Sequence, residues 1–313
     1  MKKTKLLVCT ILLFLSGSLV FGSCSDSTPD DEIEGDSQNN EESKPDNQKP
    51  GDGFIDVPQD VLEKVTEIYG KASIEPQKVK TVHQLAILTS ICATRKGDGP
   101  ITITPCLLNG EEVTLVTLGG TENVEGQATS MEESKLAAFG KPNDYLAAVT
   151  RLFTDSIIPK KKPVIVTGIS LGGMIAQQVM GQQQVLDQYD LRAVITFGSP
   201  ITLPLDRKQV KVVRFADVHD KVPSLGESIL RSGMVTSSIM SKKELQEKLD
   251  MLDQTEKVAR TSKYTGLIET HALSYIEDPC WNDVDFMGDS EKKNVLELTE
   301  TMKFYPAPKQ RTE

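Results

Sequence analysis

Residues Pro163 to Gly173 read PVIVTGISLGG, an apolar, β-rich run that breaks into Gly168-Ile169-Ser170-Leu171-Gly172. Val164, Ile165 and Val166 have the continuous apolar character of a strand buried on both faces. Met174 to Met180 reads as a helix, with Ile175 and Val179 one turn apart. The pattern between them is G-x-S-x-G. With no Cβ at Gly168 or Gly172, strand and helix can approach closely, and the turn can hold Ser170 in a strained conformation with its hydroxyl exposed. The first backbone N–H groups of the helix, that of Leu171 foremost, then face the oxygen of any acyl group attacked there. The bare pattern also fits a glycine-rich turn with an idle serine. The strand before it and the helix after it make Ser170 a candidate nucleophile.

Outward from this turn the chain alternates strands and helices. Asn143 to Phe153 reads as a helix before it, and Arg192 to Phe197 and Gln209 to Ala216 read as buried strands after it, separated by Gly198-Ser199-Pro200. Further upstream, Ile101 to Leu108 and Glu111 to Leu118 read as two strands joined by Asn109-Gly110, the dipeptide favoured in two-residue hairpins, and the second runs into Gly119-Gly120-Thr121. Pro58 to Tyr69 and Val82 to Cys92 carry helical apolar faces, and His83 within the second reads as a structural or surface histidine. Past Leu225 the pattern loosens, with helices expected at Lys242 to Asp253 and Glu291 to Met302. Alternation of this kind implies an α/β fold with a largely parallel sheet flanked by helices.

The beginning of the chain has a different character. Lys2, Lys3 and Lys5 precede the apolar run Leu6 to Val20, followed by Gly22 and Ser23, so residues 1–23 read as a signal peptide. Phe21-Gly22-Ser23-Cys24 resembles a bacterial lipobox, which implies cleavage before Cys24 and lipidation of that cysteine. The alternative is ordinary cleavage that releases a secreted protein. Several acyl chains on one cysteine give stable membrane attachment without a spanning helix. Residues 24–56 are almost free of apolar side chains and read as an acidic, disordered tether, leaving 57–313 as one catalytic-size domain. The acidic residues after Cys24 also resemble signals that place lipoproteins at the bacterial outer membrane and the cell surface.

Of the net charge of −10, residues 1 to 24 carry +3, residues 25 to 53 carry −8, and the remainder carries −5. A domain of that sign offers phosphate backbones no basic surface, so no nucleic-acid partner is expected. No G-x-x-x-x-G-K-[ST], H-E-x-x-H or paired C-x-x-C is present, so neither a cofactor nor a metal is expected. Nothing in the sequence sets the oligomeric state.

A serine hydroxyl needs a base near neutral pH, and the base needs an acid to hold its tautomer. The chain has three histidines, and only His219 and His271 follow Ser170. In α/β-hydrolases the order is Ser, then Asp or Glu, then His. His219 adjoins the acid candidates and leaves no room for the acid-then-base order, whereas His271 lies well downstream and is the candidate base. Asp217 and Asp220, beyond the strand ending at Ala216, are the candidate acids, and spacing does not separate them.

The stretch from Thr117 to His271 resembles the class 3 lipase family, of α/β-hydrolase fold. Thr167-Gly168-Ile169-Ser170-Leu171-Gly172-Gly173 is similar to its T-G-H-S-L-G-G, and Thr196-Phe197-Gly198-Ser199-Pro200 to its T-F-G-S-P. Arg214 with Asp220-Lys221-Val222-Pro223 is similar to its R-x5-D-x-V-P, which implies that Asp220 is the acid. His271, followed by Ser274-Tyr275, falls where the family has its base. Leu118-Gly119-Gly120-Thr121 is similar to its F-R-G-[ST], which implies an oxyanion hole formed by Thr121 and Leu171. The implied activity is hydrolysis of lipid or other carboxylic esters through an acyl-serine, without metal or cofactor. Gly119, Ile169 and Ile201-Thr202-Leu203 depart from the customary Arg, His and R-V-G. Those departures leave open a silent binding module, and the same chemistry leaves open a thioester or an amide as substrate.

Two local expectations complete the reading. Ser130 to Phe139, opened by a capping box at Ser130 and Glu133 and closed by Gly140 and Pro142, is a short helix, either a mobile lid or a fixed helix packed on the core. Cys92, Cys106 and Cys280 are an odd set for an exported domain, compatible with a Cys92 to Cys106 disulfide or with buried free thiols.

Overall fold

Strand β4 (Val164–Ile169) lies inside a sheet that has nine strands among the described residues. The computed structural model describes residues 78–91, 98–122, 124–138, 140–202, 210–224, 256–277, 279–289 and 293–310, and the single positions 63, 67, 243 and 246, all within the unit Val57–Glu313. The expected signal segment, Cys24, the tether, Cys92 and Phe139 lie outside the described residues. The helices expected near 58–69 and 242–253 are described only at those four single positions, each helical.

Before β4 come β1 (Lys78–Val79), β2 (Ile101–Leu108) and β3 (Glu111–Leu118); after it come β5 (Leu191–Phe197), β6 (Lys211–Asp217), β7 (Glu256–Arg260), β8 (Leu296–Leu298) and β9 (Lys303–Tyr305). From β3 to β7 the strands run parallel, each beside the next. β2 is antiparallel to β3, and its other edge is shared by β8 and β9. Asn109 and Gly110 have φ of 52° and 89°. Positive values at both positions make the type I′ turn whose twist matches the flanking strands.

Helices cover both faces. α1 (Val82–Ser90) and α6 (Leu267–Glu277) pack on one; α2 (Met131–Ala138), α3 (Asp144–Thr154), α4 (Leu171–Val179) and the short α5 (Gln183–Leu186) pack on the other. Successive side chains of β4 divide accordingly. Val164 and Val166 join the cluster of Ile175, Val179, Val149 and Phe153, while Ile165 joins that of Leu85, Phe197, Phe215 and Trp281. A strand between two helical layers has no solvent face, which is why this run is apolar without alternation. Parallel strands, antiparallel leading hairpin and a serine turn from β4 into α4 make this an α/β-hydrolase fold.

Several expectations need correction. Residues 296–298, expected within a helix, are β8: Leu296 and Leu298 are buried while Glu297 between them is half-exposed, a period of two that pairs with β1 and β2. β7 was not expected at all. Cys106 is a free thiol, so no Cys92–Cys106 disulfide forms; burial pushes its pKa up to about 12, against a small opposing hydrogen bond from Leu115. His83 is half-buried in α1, and burial lowers its pKa, in line with a structural role.

Candidate active site

Ser170 sits between β4 and α4 with φ 53° and ψ −119°, and its N–H donates to Phe197 O at 2.9 Å. This is a region that residues with a side chain rarely enter, and it persists where the surroundings over-determine it. Here close approach does so. A Cβ on Gly168 would stand 2.3 Å from the carbonyl carbon of Gly172, and one on Gly172 would stand 2.1 Å from Leu118 O. Such distances are impossible for real atoms, so both positions require glycine for α4 to start where it does.

The Ser170 hydroxyl points at α6. It donates to His271 Nε2 at 2.9 Å, and His271 Nδ1 is 2.9 Å from Asp220 Oδ2. Facing a carboxylate oxygen, Nδ1 carries the proton, leaving Nε2 free to accept. Asp220, whose side chain is wholly buried, has two further donors: Val222 N–H to Oδ1 at 3.0 Å and the Tyr275 hydroxyl to Oδ2 at 2.9 Å. Tyr275 in turn accepts the N–H of Asp217 at 2.9 Å. Sequence reasoning gave Tyr275 no role of its own. The available signal was its position one helical turn after His271, which brings both side chains to the same carboxylate.

Electrostatics follow from this geometry. Burial disfavours the imidazolium of His271, but the charge of Asp220 and the hydrogen bond to it outweigh burial, and the pKa lies above the ordinary 6.5. Burial, followed by the Asp220 charge, raises the Tyr275 pKa well above its usual value, so Tyr275 remains a donor. Phe197, Phe215, Tyr275 and Trp281 form a contiguous aromatic group that includes the Asp220 partner Tyr275; the Tyr275 and Trp281 rings stack with centroids 5.7 Å apart.

The other candidates lie elsewhere. Asp217 is buried at the end of β6 and accepts the N–H of His219 at 2.8 Å, while His219 Nδ1 lies 2.9 Å from Tyr264 O. Neither joins the chain from Ser170 through His271 to Asp220. Leu171 is the first residue of α4, where the backbone N–H has no intrahelical acceptor. Gly120 passes beside Ser170, the position of its absent Cβ 3.5 Å from the Ser170 Cβ, and Thr121 follows with its hydroxyl 2.8 Å from Ser134 Oγ on α2.

α2 turns Glu133 and Ala137 inward, while its apolar Met131 and Leu136 are half-exposed. Glu133 N–H reaches Ser130 Oγ at 3.5 Å, one half of the capping box. The Glu133 carboxylate turns instead to the start of α3, accepting the N–H of Asp144 at 3.0 Å, and Gln178 Nε2 donates to Ala137 O at 2.6 Å. Anchored at both ends, α2 is a docked helix. Among the described residues no group of three or more His, Cys, Asp or Glu side chains could hold a metal ion.

No protein-family model matches the chain, and no curated protein matches its sequence. Among solved structures, a fungal lipase–inhibitor complex, described as a model for interfacial activation in lipases, aligns over 77% of this chain and 87% of its own at 13% identity and a TM-score of 0.26. At that level the likeness carries no argument about chemistry, which rests on the hydrogen-bonded geometry above.

Proposed function

We propose that this protein is a carboxylesterase- or lipase-type serine hydrolase, cleaving carboxylic esters, lipid or acyl-glycerol esters among them, through an acyl-serine. The observation that carries the reading is the relay of two 2.9 Å contacts, Ser170 Oγ to His271 Nε2 and His271 Nδ1 to Asp220 Oδ2. In the first half-reaction Ser170 Oγ attacks the ester carbonyl as His271 Nε2 takes its proton, and Asp220 stabilises the resulting imidazolium. The oxyanion is met by donors at Leu171 and Thr121. Collapse expels the alcohol with the proton held on His271. Water then repeats the sequence on the acyl-serine and releases the acid.

We further propose that the protein is exported and held at the bacterial outer membrane through lipidated Cys24, with the acidic tether separating anchor from catalyst. Among the described residues no helix is long and apolar enough to cross a membrane. A second reading, a silent binding module, is favoured by the departures at Gly119 and Ile169, and thioesters or amides would be cleaved by the same relay.

Turnover of p-nitrophenyl esters graded by chain length, with fluorophosphonate labelling, distinguishes these readings. We expect both turnover and labelling, and a loss of at least a thousandfold in Ser170→Ala, as removal of a triad nucleophile costs roughly that or more. A folded wild-type protein that neither labels nor turns over would leave the binding module standing.

A further inference from the structure

Beyond β9 the chain leaves the sheet and runs along the loop that follows Thr121. Ala128 N–H donates to Ala307 O at 2.6 Å, Ala307 N–H donates to Gln127 Oε1 at 2.8 Å, Gln127 and Pro308 form an isolated β-bridge, and Lys309 N–H donates to Gly126 O at 2.9 Å. One residue later, Gln310 N–H donates to Asp144 Oδ2 at 2.8 Å, at the first residue of α3. Ala307 is fully buried in the cluster that also holds Leu118 and Leu171, so the segment is packed as well as bonded.

The loop it grips is closed at its stem directly after Thr121. Glu122 N–H donates to Thr129 O at 2.8 Å, and Thr129 Oγ1 donates to Glu122 O at 2.8 Å. On its other side Thr121 meets Ser134 of α2, and α2 rests on the start of α3 through Glu133. The C-terminal segment therefore fastens the tip of the loop and, through Asp144, the platform that supports α2. It grips one support of Thr121 directly and touches the other at Asp144, while Gln178 holds the far end of α2 independently.

We propose that residues 303–310 are a positioning strap for the oxyanion hole. The strap touches no substrate. It acts by holding Glu122 and residues 124–129, and with them Thr121, in place before charge develops on the acyl oxygen. The physical need is general: donors stabilise a transient oxyanion only if they are already oriented, because ordering a loop during the reaction subtracts from the stabilisation it gives. The proposal rests on the ester-hydrolase reading and adds to it a segment that lies outside the triad motifs.

The test compares the wild-type chain with a chain ending at Met302 and with Gln127→Ala, which removes only the side-chain acceptor of the Ala307 N–H. For each, kcat and KM on a soluble ester are measured, with the inhibition constant of a trifluoromethyl ketone, whose adduct with Ser170 carries an oxyanion, and amide exchange over 121–129. We expect kcat of the shortened chain to fall by about tenfold or more, a part of what losing an oxyanion donor costs, with KM within about twofold. The ketone should weaken by the same factor that kcat/KM falls, exchange over 121–129 should quicken while α4 and α6 stay protected, and Gln127→Ala should repeat the pattern on a smaller scale. Wild-type kcat in a folded shortened chain, or a rise in KM alone, overturns the proposal. If the shortened chain does not fold, wild-type ketone binding in Gln127→Ala overturns it. Absence of ester turnover in the wild type would defeat the hydrolase reading instead, and exchange over 121–129 unchanged in the variants would then overturn the strap on its own.

Discussion

Three donors converge on the Asp220 carboxylate, from His271, Tyr275 and Val222, and an amide in its place could not receive all three. We expect Asp220→Asn to lower kcat/KM by roughly 1000-fold or more, the scale on which a wrong imidazole tautomer acts, and Asp217→Asn by less than about tenfold. The pH profile gives a second reading of the same contact. His271 works as a base only when neutral, and its pKa lies above 6.5, so the acid limb of kcat/KM should fall above pH 6.5 in the wild type. Because the Asp220 charge is what overcomes burial, Asp220→Asn should move that limb to lower pH. A limb that stayed put would mean that another group holds the imidazole. At this scale the sequence was legible in part. Motif and order singled out Ser170 and His271, while residues read alone left Asp217 and Asp220 equal; only the family likeness preferred Asp220. The hydrogen bond that separates them spans 51 residues, and the carboxylate's clamp, Tyr275, is a helical neighbour of His271 rather than of Asp220.

Among the elements, α2 has the most unusual anchor, a carboxylate buried against the start of another helix. Burial raises the Glu133 pKa, opposed by the N–H groups of Asp144 and Tyr145 and the charge of Lys309, and reinforced by the charge of Asp144. A raised folded pKa means that the native state prefers the neutral acid. The corresponding stability is present below the ordinary carboxylate value of 4.5 and is lost as pH rises through the folded value. Glu133→Gln, which cannot ionise, should therefore gain on the wild type in melting temperature as pH rises through that window. Glu133→Ala should cost about 1–3 kcal/mol, because it leaves the Asp144 N–H without its acceptor, or several degrees for a domain of this size. Because α2 is docked, activity on one ester followed through its solubility limit should rise without a jump; a jump would restore the lid. Elements with their own signature were legible, such as the apolar β4 and the Asn-Gly hairpin. β7, β8 and β9 were not, because five- and three-residue runs such as EKVAR, LEL and KFY become strands only by pairing with β6 or β2, brought near by the rest of the fold.

At the scale of the whole molecule, the proposed attachment and the proposed chemistry belong to separate parts of the chain. If Cys24 is the anchor, Cys24→Ser should abolish metabolic labelling by a palmitate analogue; equal labelling of mutant and wild type would refute the anchor. Within the domain, the parallel ladder from β3 to β7 has a consequence for time. Among the described residues only the β2–β3 hairpin pairs neighbours in sequence through a two-residue turn, and such hairpins close in about 1–10 μs. Ser170 and His271 are 101 residues apart, with β5, β6 and β7 lying between them in the chain. Contacts of such separation form slowly, since the chain between them gives up its freedom before the contact offers any return. Diluted from denaturant, the protein should regain its far-ultraviolet dichroism well before its turnover. The interval between the two would measure how long a nascent molecule carries a serine that is not yet a nucleophile.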